Sequence, residues 1–274
     1  MQNLRIIVRG GGDLATGVVY RLWNAGFAPL VLECAQPSAI RRQVALCEAV
    51  YSGKVTVEGM TGVRINTLSE ALSVWEQGQV PILVDEAAAC VKTLSPDIVV
   101  DAIIAKKNLG TNMDMAPLTI ALGPGFTAGK DVHAVVETKR GHNLGRIIKA
   151  GSAAPNSGVP GIIGGFGKER VLHAAVEGSL HIVQDIGSIV AKGQLIAEIT
   201  DMEGKVTSVT SSLSGIIRGM IREGFWVTKG FKIADIDPRQ EELANCFTIS
   251  DKARCIAGSV LELVCRYATE QNKN

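Results

Sequence analysis

The 274-residue chain has few aromatic residues, 4% Phe, Trp and Tyr, although 46% of it is hydrophobic. A core short of aromatics must be filled by Val, Ile, Leu and Ala, the composition of sheets covered on both faces. The chain also lacks a charge excess: 28 Lys and Arg stand against 27 Asp and Glu. That balance supplies no long-range field for nucleic acid, and no Lys/Arg cluster tracks phosphates, so DNA and RNA are not expected partners. No apolar run approaches the roughly 18 residues that cross a bilayer, and the N-terminus enters a strand almost at once instead of a basic-then-apolar leader. No membrane partner and a cytoplasmic location are expected. The six cysteines (Cys34, Cys47, Cys90, Cys246, Cys255 and Cys265) form no C-x-x-C pair or other zinc spacing. Each reads as a small apolar side chain, and no metal site is expected. H-E-x-x-H and G-x-S-x-G are missing, and Tyr51 and Lys54 are three apart where the short-chain dehydrogenase dyad needs four. Common hydrolase and reductase signatures are thereby excluded.

Against these absences stands a glycine turn at residues 10–12. A short apolar strand, Ile6-Ile7-Val8, runs into Arg9-Gly10-Gly11-Gly12-Asp13-Leu14-Ala15, then a helix, then a second strand ending at Glu33. Bare backbone at such a turn lets a phosphate approach the free N–H groups of the following helix. Gly10-x-Gly12-x-x-Ala15 has the dinucleotide-binding form, and Glu33 lies twenty-one residues beyond Gly12, where an acid meets a ribose hydroxyl. Asp13 opposes this, because a carboxylate at the helix start occupies the same donors and repels a pyrophosphate. Two readings follow: an NAD(P) or other nucleotide site made of Gly10, Gly11, Gly12, Asp13, Ala15 and Glu33, or a tight turn that binds nothing.

Downstream, Arg41 and Arg42 fall on a predicted second helix, within reach of a phosphate or in water. Thr67 and Glu70 have capping-box spacing at the start of another. Strands are predicted at 82–84, 98–104, 118–122 and 132–136, and alternation of strands with helices predicts a Rossmann-like, mostly parallel α/β sheet over residues 1–165. From Val171 the pattern changes. Gly178 and Gly215, Asp185-Ile186-Gly187 and Arg222-Glu223-Gly224, Lys192-Gly193 and Lys229-Gly230 all recur at one spacing of 37 residues. Such a repeat means two copies of one β unit, and it resembles the biotinyl/lipoyl hammerhead over 166–238. Lys205 in the connecting hairpin lacks the flanking residues of a carrier lysine. Residues 239–274 form a C-terminal segment with an amphipathic helix from Ser250 through Ile256, Val260 and Val264.

Three loops at expected strand ends are candidates for chemistry. Lys106, Lys107 and Asn108 sit in a loop suited to an anion, or simply to water. Gly123 and Gly125 lie in Gly-Pro-Gly-Phe-Thr-Ala-Gly-Lys, which is one residue short of a Walker motif and carries Asp131 at the Mg²⁺-binding position. The third, from Glu137 to Arg146, gathers Arg140, Gly141 and His142, and side chains at strand C-termini converge on the crevice of an open α/β sheet. His142 and Glu137 are the candidate proton-transfer groups. His133 reads as a packed strand residue, and His173 and His181 as surface residues of the β domain. Cys34, next to Glu33, is the one thiol placed to react.

The strings RGGGDLATGVVYRLWNAGF, KKNLGTNMDMAP, GPGFTAGKDVHAVVETKRGHNLGR and PNSGVPG, in this order, resemble the YqeB-type accessory proteins of the selenium-dependent molybdenum hydroxylase system. The first domain is also similar to maturation factors of xanthine and carbon monoxide dehydrogenases. The resemblance implies a role in maturing a molybdenum hydroxylase, handling its pterin cofactor or its selenium. The partners would be that enzyme or its maturation proteins, together with an anionic small molecule contacted by Lys106, Lys107, Arg140 and Arg146. An NAD(P)-dependent oxidoreductase built on the glycine turn is the alternative, and a purely protein-binding scaffold a weaker one.

Overall fold

The computed structural model describes residues 4–158 and 161–272, which divide into two compact units. The first runs to Pro37, resumes over Ala45–Ser157 and takes up the chain again from Ile249; the second comprises Ser38–Val44 and Gly158–Thr248. The expected segments were 1–165, 166–238 and 239–274, and these units are each assembled from separated stretches of chain. The C-terminal helix belongs to the first unit, and the short stretch Ser38–Val44 belongs to the second.

In the first unit the elements are β1 (Ile6–Arg9), α1 (Asp13–Asn24), β2 (Pro29–Glu33), α2 (Ala49–Ser52), β3 (Lys54–Val57), β4 (Met60–Ile65), α3 (Ala71–Glu76), β5 (Val80–Val84), α4 (Val91–Leu94), β6 (Ile98–Asp101), β7 (Leu118–Leu122), β8 (Thr127–Ala128), β9 (Ala134–Val136), β10 (Ile147–Ile148) and β11 (Gly151–Ser152). Nine of the strands make one sheet in the order β10-β9-β7-β6-β1-β2-β5-β4-β3. The inner strands are parallel to one another, while β3 and β10 run antiparallel at the two edges. Ile7, Val8, Leu30, Val31, Val99 and Val100 are fully buried in its centre.

The Rossmann-like fold expected from the sequence is corrected by this sheet, which is mixed and has no α-helix between β6 and β7 or between β7 and β9. The reason is local. The first connection carries Asn108, Gly110 and Pro117, and the second carries Gly123, Pro124, Gly125 and Gly129, residues that disfavour helix interiors. The β3–β4 hairpin was also absent from the strand assignment. Its two-residue turn, Glu58-Gly59, has positive φ at both positions, the type I′ geometry that suits twisted strands.

The last element of the first unit is α5 (Asp251–Gln271). Ser250 Oγ accepts from Ala253 N at 3.1 Å and caps it. Its stripe of Ile256, Val260 and Val264 is buried. A Cβ placed on Gly17 of α1 would stand 2.8 Å from Ala253 Cβ, so α1 and α5 touch backbone to side chain where Gly17 has none.

The second unit contains β12 (Val171–His173), β13 (Gly178–Ile182), β14 (Ile189–Val190), β15 (Leu195–Thr200), β16 (Val206–Thr210), β17 (Gly215–Met220), β18 (Trp226–Val227) and β19 (Lys232–Asp237). They form two four-stranded antiparallel sheets, β12-β19-β17-β14 and β16-β15-β13-β18, around Leu180, Ile196, Ile199, Ile216, Ile217 and Ile236. The 37-residue period is physical. A Cβ on Gly178 would lie 2.4 Å from Thr200 O, and one on Gly215 would lie 2.3 Å from Asp237 O. The biotinyl/lipoyl-like hammerhead, read as two copies of one β unit, is nevertheless corrected: neither half of the repeat makes a sheet of its own, since β12 and β14 of the first half share a sheet with β17 and β19 of the second, and β13 and β15 share one with β16 and β18. The hairpin is closed by Asp201 Oδ1, which accepts from Glu203 N and Lys205 N at 2.9 Å each, so Lys205 is an ordinary turn residue. Ser38–Val44 is stitched to β17, with Met220 N donating to Ile40 O at 2.8 Å. Arg41 donates to Asn245 O and Thr248 O, and Arg42 to Met220 O and Asp185.

Two outcomes follow from these contacts. Gly215→Ala should destabilise the second unit by about 1–3 kcal/mol through overpacking, measured by chemical denaturation. Burial works against the charge of Asp237, but hydrogen bonds from Arg239 and Arg218 outweigh it and hold the carboxyl down at about 2. A depressed carboxylate stabilises the fold above its unfolded pKa near 4 and loses that contribution as pH falls toward 2. Thermal unfolding between these pH values should show the loss in the wild type and a shallower decline in Asp237→Asn.

Candidate functional site at the C-terminal edge of the sheet

The expected site loops meet where β1, β6, β7 and β9 end, and glycines set their spacing. Gly10 (φ +96°) leaves room for Ala102 O and Ile103 N, each 3.0 Å from where its Cβ would be. Gly125 (φ +110°) does the same for the backbone of Lys106 and Lys107, at 2.7 Å from Lys107 N. Gly123 admits the Thr138 hydroxyl at 2.5 Å. Sequence-distant turns are thus nested, and no side chain fits at these three positions.

Beneath them runs a buried polar network. Arg9 donates from Nη1 to Thr111 Oγ1 at 2.5 Å and from Nη2 to Glu86 O at 3.0 Å, while Thr111 Oγ1 donates to Asp101 Oδ2 at 2.5 Å. Burial raises the pKa of Asp101, although Thr111 and Arg9 pull it the other way. The loop above is held in a strained form, with Ile104 at φ +59° and Lys106 at φ +62°. A left-handed, β-branched residue costs of order 1–3 kcal/mol and persists only where its surroundings over-determine it. Lys106 and Lys107 are exposed at its crest. Asn108 instead closes the loop, donating to Thr111 O and accepting from Gly110 N at 2.8 Å each.

The acidic residues at the strand ends turn inward. Glu33 accepts from Gly11 N at 2.7 Å and from its neighbour Cys34 N at 2.8 Å. Asp13 accepts from Leu14 N at 2.8 Å. Donors that a pyrophosphate would use are therefore held by carboxylates. Glu137, buried, accepts from Lys139 N and from Ala154 N at 2.7 Å each and ties its loop to the following segment. Arg140 makes a two-point contact with Asp251 at the start of α5, at 2.7 and 2.9 Å. His142 and Arg146 are exposed, as is Gly141, and Ala15 is buried in α1. Burial first, then Glu33, pushes the Cys34 thiol up to about 11, which removes the thiolate a reactive cysteine needs. His173 and His181 are exposed on the second unit. Val159 and Pro160 of the PNSGVPG run lie outside the described residues. Among the described residues, no group of three or more His, Cys, Asp and Glu is placed to hold a metal ion, and no helix is long and apolar enough to cross a membrane.

Lys252 was absent from the sequence-derived set. It lies on the first turn of α5, half-buried, and its pKa is lowered by desolvation and by Arg140, against the pull of Asp13, Glu137 and Asp251. The charges that act on it come from both the glycine turn, at Asp13, and the Glu137–Arg146 loop. No local motif marks it; the only signal was its position two residues after the helix cap Ser250.

No family model matches the chain. Over 257 residues, 94% of its length, it is 48% identical to the uncharacterized protein YqeB of Escherichia coli (strain K12). The chain is homologous to YqeB. It spans about half of that relative's length, 46%. Among solved structures it is similar to the product-bound ectoine utilization protein EutE (DoeB) from Ruegeria pomeroyi, at 14% identity and a TM-score of 0.25, covering 86% of this chain and 58% of that one. An aspartoacylase family protein from Mesorhizobium loti gives 11% identity and a TM-score of 0.30, covering 87% and 86%.

Glu33→Ala leaves the buried Gly11 N–H without its acceptor. A loss of about 1–3 kcal/mol in unfolding free energy is expected, read from a urea melt.

Proposed function

We propose that this chain is an accessory factor in the maturation of a selenium-dependent molybdenum hydroxylase, handling or inserting the molybdenum cofactor or its selenium. The C-terminal edge of the large sheet would receive the anionic pterin phosphate. The observation that carries this reading is the nesting of Gly125 against Lys106 and Lys107, which presents two exposed lysines on a strained loop beside the turn that starts at Gly123. The resemblance of the motif order to the YqeB-type accessory proteins supports this reading, and the 48% identity to the uncharacterized protein YqeB supports a YqeB-type chain.

The residues present fit a phosphate-bearing cargo. Exposed Lys106, Lys107 and Arg146 supply charge, and a Cβ would meet nothing within 4 Å at Gly12, Gly110 or Gly141, so backbone there is open to a ligand. Lys252 interacts electrostatically with Asp13 and offsets its repulsion of an anion. The metal would travel as part of the pterin cargo. The second unit exposes Val183, Ile189, Met202, Val206 and Trp226, apolar side chains suited to docking the hydroxylase or another maturation protein.

The alternative, an NAD(P)-dependent oxidoreductase, rests on the Gly10-x-Gly12-x-x-Ala15 turn. It is the weaker reading, because the acid that would hold the ribose is engaged with the turn itself.

The test is molybdenum and released pterin on the chain purified from cells that make the cofactor. Replacing Lys106, Lys107, Arg140 and Arg146 together by Ala should lower both by about tenfold or more, as expected for lost charge-assisted contacts. Wild-type protein free of pterin and metal would overturn the carrier reading. Tight NAD(P) binding that Glu33→Ala weakens would put the oxidoreductase in its place.

A further inference from the structure

At the other end of the same sheet, where β7 and β9 begin, Thr119 and His133 form a close pair. Thr119 N lies 3.0 Å and Thr119 Oγ1 2.8 Å from His133 Nδ1, and His133 N donates to Thr119 O at 3.0 Å. A backbone N–H can only donate, so Nδ1 is an acceptor and the ring proton sits on Nε2. Burial lowers the pKa of the ring and keeps it neutral. The remaining ring edge of His133 is therefore a hydrogen-bond donor.

His133 lines two surface clefts. One, of about 240 Å³, is also bounded by Leu118, Ala134, Lys149, Leu263, Arg266 and Tyr267, with Glu270 at its rim. The other, of about 650 Å³, extends toward Arg5, Met113 and Met115. In the smaller cleft Arg266 Nε meets Glu270 Oε1 at 3.2 Å, and the two charges cancel. Lys149 adds a cation that no carboxylate lining the cleft balances. Burial, then Asp97, raises the pKa of Tyr267, so its hydroxyl stays protonated. The cleft thus offers donors and one excess positive charge above apolar walls. A single charge over apolar walls matches a monoanion with a hydrocarbon body better than a phosphate, which carries more charge and no apolar surface.

We propose that this cleft binds a small organic carboxylate, with its carboxyl group between Lys149 and the free ring edge of His133 and its apolar body against Leu118, Ala134 and Leu263. The site is separate from the molybdenum reading and does not depend on it.

The chain has four histidines, so ring signals can be followed individually in the full-length protein labelled with ¹⁵N-histidine. Titration with benzoate should give a saturable shift of the His133 ring while His173 and His181 stay in place. Lys149→Met, a change at an exposed position, should weaken that binding about tenfold, the scale of one charge-assisted hydrogen bond. No saturable shift at His133, or unchanged affinity in Lys149→Met, would overturn the proposal. Inorganic phosphate binding as tightly as benzoate would overturn the carboxylate assignment.

Discussion

The approach of the Gly10 backbone to Ala102 and Ile103 governs the functional edge of this protein. It requires a residue without Cβ at the end of β1, and it draws the loop after β6 over the glycine turn. From there the spacing propagates: Lys106 and Lys107 settle against Gly125, and Gly123 settles against Thr138. The buried chain of Arg9, Thr111 and Asp101 supports these turns from below. Hydrogen bonding is what makes so polar a group tolerable inside, since each member has a partner.

A common device runs along that edge. Glu33, Asp85, Asp101 and Glu137 each stand at or just past the end of a strand, and each accepts from at least one backbone N–H further along the chain, Glu33 from Gly11 N as well. The strand-end carboxylates therefore hold loops in place. The exposed charges at the loop crests are Lys106, Lys107 and Arg146. In a chain of nearly neutral formal charge, the strand-end acids are thus bonded to backbone while cations stand exposed above them.

The legible parts of the fold were those with short-range causes. The strand Leu118–Leu122, the Thr67–Glu70 capping box, the Ser250 cap and the 37-residue period all rest on neighbouring residues or a regular spacing. What the sequence did not disclose depends on distant partners. The direction of the Glu33 carboxylate is set by Gly11 N, not by its spacing from Gly12. Ser38–Val44 pairs with β17, almost two hundred residues on, and nothing within the segment names that partner. The repeat likewise revealed two similar halves without revealing that each divides its four strands evenly between the two sheets. The site was legible as a set of loops and illegible at Lys252, whose place follows from α5 returning to α1.

That return has a consequence for synthesis. The chain leaves the first unit after Ser157 and re-enters it at Ile249, so α5 emerges from the ribosome only after the whole second unit. Until then the face of α1 around Gly17 has no helix to meet it, and an apolar surface of the nascent sheet stays open to water. The second unit, whose contacts are made largely within residues 158–248, is complete before the first one closes. Lys252 arrives with α5, so the candidate site acquires its last charged group at the same moment the first unit acquires its last helix.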